Sequence, residues 1–234
     1  MNDHVDTEYY TSRKAELLKR FDQDAQRWRP IISHFGDDFA ETILKEARDE
    51  FEALIPEIPY IGGDENHLTG SLIGSARCLA LYKAMKARGK TAEETGKILY
   101  ETIMSRVGEP IPEIPPAQRL TLEQLTERRK KRAERTQLRQ YPDDWVYEFV
   151  AGDGEEFDYG YNFTECATLK FYHAQGADEF LPFYCFLDFP ESRVYGLGLS
   201  RTMTLSEGHP ICDHRFKKGR KSEQEWPPPF LRRQ

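Results

Sequence analysis

The sequence predicts an α+β fold, a helical N-terminal half packed with an antiparallel sheet that carries two short inserted helices. Three observations predict it. Apolar residues in the first hundred positions recur every three to five, the period of a helix with one buried face. Beyond position 144 the chain turns to β-branched and aromatic residues broken by Gly-Asp turn signals. Between these stretches Pro110, Pro112, Pro115 and Pro116 fall so close together that 109–116 cannot be regular structure.

The first helix read from this pattern covers Phe39 to Ile55, with Phe39, Ile43, Leu44, Ala47, Phe51, Leu54 and Ile55 on its inner face. A second covers Thr69 to Lys86 and ends at Gly89 in a left-handed cap. Its Cys78 reads as ordinary core packing. Thr91 and Glu94 form a capping box for a third helix that points Ile98, Leu99, Ile103, Met104 and Val107 inward and stops at Gly108. Thr121 to Gln140 reads as a solvated helix connecting the halves. Its Arg128, Arg129, Lys130, Lys131, Arg132, Arg135 and Arg139 could touch phosphate, but no aromatic residue interrupts the run to stack on a base.

In the second half, Trp145 to Val150 and Phe157 to Phe163 read as a hairpin about Gly152-Asp-Gly154. Short helices follow at Thr164 to Gln175 and Asp178 to Asp188. Val194 to Leu205 alternates as a strand, Glu207-Gly208 turns, and Ile211 to Phe216 returns. The expected organisation is therefore a helical half (1–108), a Pro-rich and basic connector (109–144), a β/α half (145–216) and an irregular tail (217–234).

With 33 Lys and Arg against 40 Asp and Glu the net charge is −7, which disfavours a nucleic-acid partner. The longest near-continuous apolar run, Phe180 to Leu187, contains Pro182 and is far short of the about 20 residues a bilayer span needs, so no membrane partner is expected. The acidic start, Met1 to Asp6, lacks the basic and apolar stretches of a secretory signal. The expected compartment is the cytoplasm, with the four cysteines as thiols. No CxxC, HExxH or glycine-rich phosphate loop occurs, so no cofactor is signalled.

The chemistry-bearing residues crowd into the second half. Cys166 falls two residues after Thr164, read as a helix cap, where free amides would favour a thiolate. Cys185 and Asp188 share a face if helical. On the last strand Cys212 shares its face with His214, and Asp213 shares its face with Arg215. Arg201 interrupts an apolar row and must be paired, by Asp188 or Asp213 or by a bound carboxylate. Taken singly, each cysteine fits a buried small hydrophobe and each arginine an ion-pair residue.

The runs Tyr161-Asn-Phe-Thr-Glu-Cys166, Pro182-Phe-Tyr-Cys-Phe-Leu-Asp188, Arg201-Thr-Met-Thr-Leu-Ser-Glu-Gly208 and Cys212-Asp-His-Arg-Phe216 together resemble the L-2-amino-thiazoline-4-carboxylic acid hydrolase family. Pro59-Tyr-Ile-Gly-Gly-Asp-Glu-Asn66 and Leu79-Ala-Leu-Tyr-Lys83 resemble its earlier segments, so the likeness covers about 39–216. His214 stands where the family usually has Phe, which puts a polar group on the Cys212 face.

The resemblance implies hydrolysis of a cyclic amidine: water adds to the ring carbon between sulfur and two nitrogens, and the ring opens to an N-carbamoyl amino acid. Such chemistry needs a nucleophile or base, a proton donor and a cation for the substrate carboxylate. Cys212 or Cys166 would be the nucleophile, with Cys185 beside them. Asp188 or Asp213 would be acid/base or orienting groups, and Arg201 the carboxylate clamp. Asn66, Thr202, Thr204 and His214 would complete the substrate site. Cys166, Cys185 and Cys212 are expected to meet in one pocket, and the Gly62–Asn66 loop either folds over it or leaves Asn66 to cap the start of the second helix. The partner is a small molecule bearing a carboxylate, and the chain could act alone or as a homo-oligomer. Two alternatives are a binding or sensing domain without turnover and a structural metal site built from Cys166, Cys185, Cys212 and His214.

Overall fold

The structure is a computed structural model and describes residues 8–111, 113, 115–221 and 224–233. The acidic start, Pro112 and parts of the tail lie outside the described residues.

The α+β expectation holds. Helices α1 (Lys14–Ile32), α2 (Asp37–Leu54), α3 (Thr69–Ala87) and α4 (Ala92–Met104) form the first half. Helix α1 was not assigned from the sequence, although Leu17, Leu18, Phe21, Trp28 and Ile32 give it a buried stripe. Phe21 stacks on Phe51 of α2 and meets Trp28 edge-on, both at 5.4 Å between ring centroids. Helix α3 ends as expected, with Gly89 at φ +77° and the Lys90 amide reaching the Met85 carbonyl at 3.0 Å. The Thr91–Glu94 capping box forms in both directions. Val107, expected to face inward, is 48% exposed, because α4 stops at Met104 and the next turn leaves the core.

Helix α5 (Leu122–Thr136) buries only Ala133 and lies along the sheet. The sheet comprises β1 (Val146–Ala151), β2 (Tyr159–Glu165), β3 (Leu199–Ser200) and β4 (Cys212–Phe216), all antiparallel, in the order β1-β2-β4-β3. Three short helices, not two, fall between β2 and β3: α6 (Ala167–Ala174), α7 (Leu181–Phe186) and α8 (Asp188–Val194). A helix running unbroken through this stretch would lose the amide that Pro190 lacks. The chain instead restarts at Asp188, where proline in the first turn is tolerated.

The long strand expected over 194–205 shrinks to β3. Gly196 and Gly198 take positive φ, and the Asp213 carboxylate captures the amides of Thr202 and Met203, at 2.9 and 2.6 Å, away from any ladder. One apolar core runs without interruption from Tyr10 to Leu187 and joins the helical half to α6 and α7. Among the described residues, no helix is long and apolar enough to cross a membrane.

Candidate active site

Helices α1, α3 and α4 meet α8 and β4 around a cavity of about 560 Å³. Its wall carries three acids, Asp24, Asp188 and Glu191, and three guanidinium groups, Arg27, Arg77 and Arg106, together with Cys78, Tyr184 and His214. Asp24 is answered by Arg77 at 2.6 Å. Arg106 donates to the Tyr195 hydroxyl at 3.3 Å, while its buried Nε makes no hydrogen bond among the described residues and lies 3.9 Å from Glu109.

The centre of the cluster is Asp188. Its Oδ2 accepts from Arg201 Nη1 at 2.6 Å and lies 3.3 Å from His214 Nε2. Both contacts fall on the same oxygen, and among the described residues no hydrogen bond reaches Oδ1. The side chain is 48% exposed although it sits at the meeting point of α7, α8 and β4, the combination expected of a group that lines a cavity. The surrounding protein works to raise its proton affinity, but the His214 hydrogen bond and then the Arg201 charge outweigh that, so the carboxyl lies below the ordinary aspartate range. Glu191 is shifted the other way, up, because burial dominates over the pull of Arg106. An ionised acid and one easier to protonate thus share one wall.

Arg201 is not a free clamp. Its second arm donates to the Cys185 carbonyl at 2.9 Å, and its guanidinium lies 5.2 Å from the centre of the Phe189 ring. Of the two carboxylates expected to pair with it, Asp188 does. Asp213 faces the other way: it accepts from the Thr202 and Met203 amides and, at 2.6 Å, from the Thr202 hydroxyl. That places Asp213 and Thr202 in the scaffold of the 201–204 loop.

Cys166 and Cys185 pack against the main apolar core, and Cys212 is buried on β4. None of the three lines the 560 Å³ cavity, where the cysteine is Cys78. Thr164 lies in β2, and Cys166 itself is the residue before α6, so the expected cap is displaced by two positions. Burial pushes the Cys166 thiol up to about 11 and Cys78 up to about 12, and it raises Cys185 as well, the opposite of an activated thiolate. The Cys212 sulfur accepts the Leu205 amide at 3.2 Å and donates to Thr204 Oγ1 at 3.5 Å, so it braces the loop from below.

The Gly62–Asn66 loop does not cover this site. Asn66 donates to the Ile61 carbonyl at 2.6 Å and to Asp144 at 2.7 Å, accepts from the Leu68 amide at 2.9 Å, and lines a separate cavity beside α5. The glycine pair is required by aromatic rings: a Cβ on Gly62 would lie 2.8 Å from Tyr141, and one on Gly63 2.7 Å from Tyr9. Among the described residues, no three His, Cys, Asp or Glu side chains are placed to hold a metal ion, so the zinc-site alternative has no geometric support.

Sequence reasoning missed Arg106, and Asp24 and Arg27 with the whole of α1, and it took Cys78 for packing. Only the periodic stripe of α1 could have pointed there. The sheet supplies His214 between two rings, 5.1 Å from Phe163 and 6.2 Å from Phe216, which hold the imidazole against Asp188.

No curated protein and no solved structure matches the chain. The family model for L-2-amino-thiazoline-4-carboxylic acid hydrolase does match, over residues 71–216. That span runs from α3 to the end of β4 and contains Asp188, Arg201 and His214. Because it takes in more than half of the sequence, the chain belongs to the L-2-amino-thiazoline-4-carboxylic acid hydrolase family.

Proposed function

We propose that the protein hydrolyses a small cyclic amidine bearing a carboxylate, opening 2-amino-thiazoline-4-carboxylate to its N-carbamoyl thiol. The observation that carries this reading is the Asp188 carboxylate, held ionised by His214 and Arg201 with Oδ1 left to the 560 Å³ cavity. Such a substrate is a zwitterion, with an amidinium at one end and a carboxylate at the other. The wall offers acids for the first and Arg106 or Arg27 for the second.

In this mechanism Asp188 orients a water and takes one proton from it as the oxygen bonds to the ring carbon. The carbon–sulfur bond then breaks with its electron pair on sulfur. The sulfur receives the proton from Asp188, and the hydroxyl proton of the adduct leaves to solvent as the carbonyl forms. Arg201 and His214 position the carboxylate. Cys78, Cys166 and Cys185, whose thiols burial holds protonated, serve as packing, and Cys212 supports the loop through Leu205 and Thr204. The partner is therefore a small molecule, and a reducing cytoplasm suits four unpaired thiols.

Incubation with 2-amino-thiazoline-4-carboxylate, followed by mass spectrometry, should reveal the product one water heavier than the substrate. Asp188→Asn should lower turnover by at least about 100-fold while substrate still binds. Binding without turnover by the unaltered protein would favour a sensor. Full turnover by Asp188→Asn would place the base elsewhere.

A further inference from the structure

A second cavity, of about 420 Å³, lies between α5 and the loop that carries Gly62 and His67, and it shares no lining residue with the first. We propose that it binds the phosphate group of a small phosphorylated molecule, with Arg128 and Arg132 as the principal ligands.

The argument begins with helical spacing. Arg128, Arg132 and Arg135 are four and three residues apart, so they share one side of α5, and Arg139 follows just beyond its end. All four line the cavity. Arg135 is engaged by Glu65 at 2.9 Å, and Arg139 pairs with Glu165. The intervening Arg129 is turned elsewhere, 3.6 Å from the centre of the Tyr159 ring. Among the described residues, Arg128 and Arg132 have neither an ion-pair nor a hydrogen-bond partner, although two like charges one turn apart repel each other and cost stability when nothing lies between them.

His67 faces them, with Nε2 3.3 Å from the Tyr147 hydroxyl. Burial lowers its proton affinity most, and Arg132, Arg128 and Arg135 lower it further, to about 4, so three of the cavity's guanidinium groups act on this ring. The opposing acid, Asp144, is already met by the Trp145 amide at 2.7 Å and by Asn66. Two guanidinium groups without partners suit the several acceptor oxygens of a dianion better than the single face of a carboxylate. The site is concave and the whole chain carries −7, so a small anion is favoured over a nucleic-acid polymer.

The probe for the test is phenyl phosphate, with inorganic phosphate and benzoate in parallel, titrated calorimetrically and by the His67 imidazole resonances. Phenyl phosphate should bind at millimolar concentration or below and shift His67. Arg128→Gln and Arg132→Gln should each weaken it by about tenfold, with thermal unfolding unlowered or slightly raised as the repulsion is relieved. Lys131→Gln removes the same charge from an exposed position that does not line the cavity, and should leave the affinity within about twofold. No binding of either phosphate, equal binding of benzoate, or an equal loss in Lys131→Gln would overturn the proposal. Ring opening at the other cavity should be unaffected by any of these substitutions.

Discussion

Arg201 and Asp188 form an ion pair of 2.6 Å in which the guanidinium side chain is 6% exposed and the carboxylate 48%. The pair is therefore asymmetric, with its anion open to the 560 Å³ cavity and its nearly buried cation at the edge of a separate cavity of about 300 Å³ that Thr202 and Thr204 also line. Arg201, which reads as a substrate clamp in the sequence, is already engaged here by Asp188 and the Cys185 carbonyl, and its charge favours the ionised form of Asp188.

Replacing Arg201 by Met should be more damaging than its place in an apolar row suggests. The Cys185 carbonyl and Asp188 both lose a donor, and because Asp188 can rehydrate the expected loss is about 1–3 kcal/mol. Turnover should fall more than substrate affinity. Denaturant unfolding together with kcat and KM checks this, and unchanged kcat with a large rise in KM would restore the clamp.

Cys212→Ser should keep turnover within about tenfold of the unaltered protein, since a serine hydroxyl can still accept the Leu205 amide and no thiolate is required. An intact fold with abolished turnover would make Cys212 the nucleophile and end the direct water-attack reading.

Stability should decline as pH falls from about 6.5 to about 4. Folded His67 binds its proton only near 4, whereas in the unfolded chain it does so near 6.5, so between these values the unfolded state holds more protons and gains. His67 is exposed to its cavity, so screening reduces the effect to about 1 kcal/mol. Urea midpoints across this range should be flatter in His67→Asn, and a parallel fall in both proteins would assign the slope to other groups.

Gly96→Ala tests the crossing of α4 over α7. An added Cβ would lie 2.8 Å from Phe183 Cβ, closer than packed carbons tolerate. A loss of about 1–3 kcal/mol is expected despite the better helix propensity of alanine, and a stabilised variant would show that the crossing can open without cost.

The elements legible in the sequence are those whose signals are local. Helices α2, α3 and α4 have periodic stripes and caps, and the β1–β2 hairpin has β-formers about a turn. The 188–205 segment was misread because its conformation depends on distant partners: Asp213 takes the amides of Thr202 and Met203, and Ser192 Oγ takes the Leu199 amide at 2.8 Å. At the candidate site, Asp188, Arg201 and His214 could be singled out by type and order. Their roles could not, because a thiol at a helix start and one sealed under a wall look alike in sequence and differ only in solvation. Of the two readings of Asn66, the one at the start of the second helix holds, since its side chain accepts the Leu68 amide, and the Gly62-Gly63 pair answers Tyr141 and Tyr9 rather than a ligand.

The cavity wall has two origins along the chain. Asp188, Glu191 and His214 lie within the span that defines the family, while Asp24, Arg27 and Trp28 come from α1, outside it. On the proposed mechanism, the reacting groups and part of the surface facing the far end of a ligand are thus encoded separately. Ligand preference can drift through α1 while the reacting machinery stays fixed, so two members with the same motif set need not share a substrate.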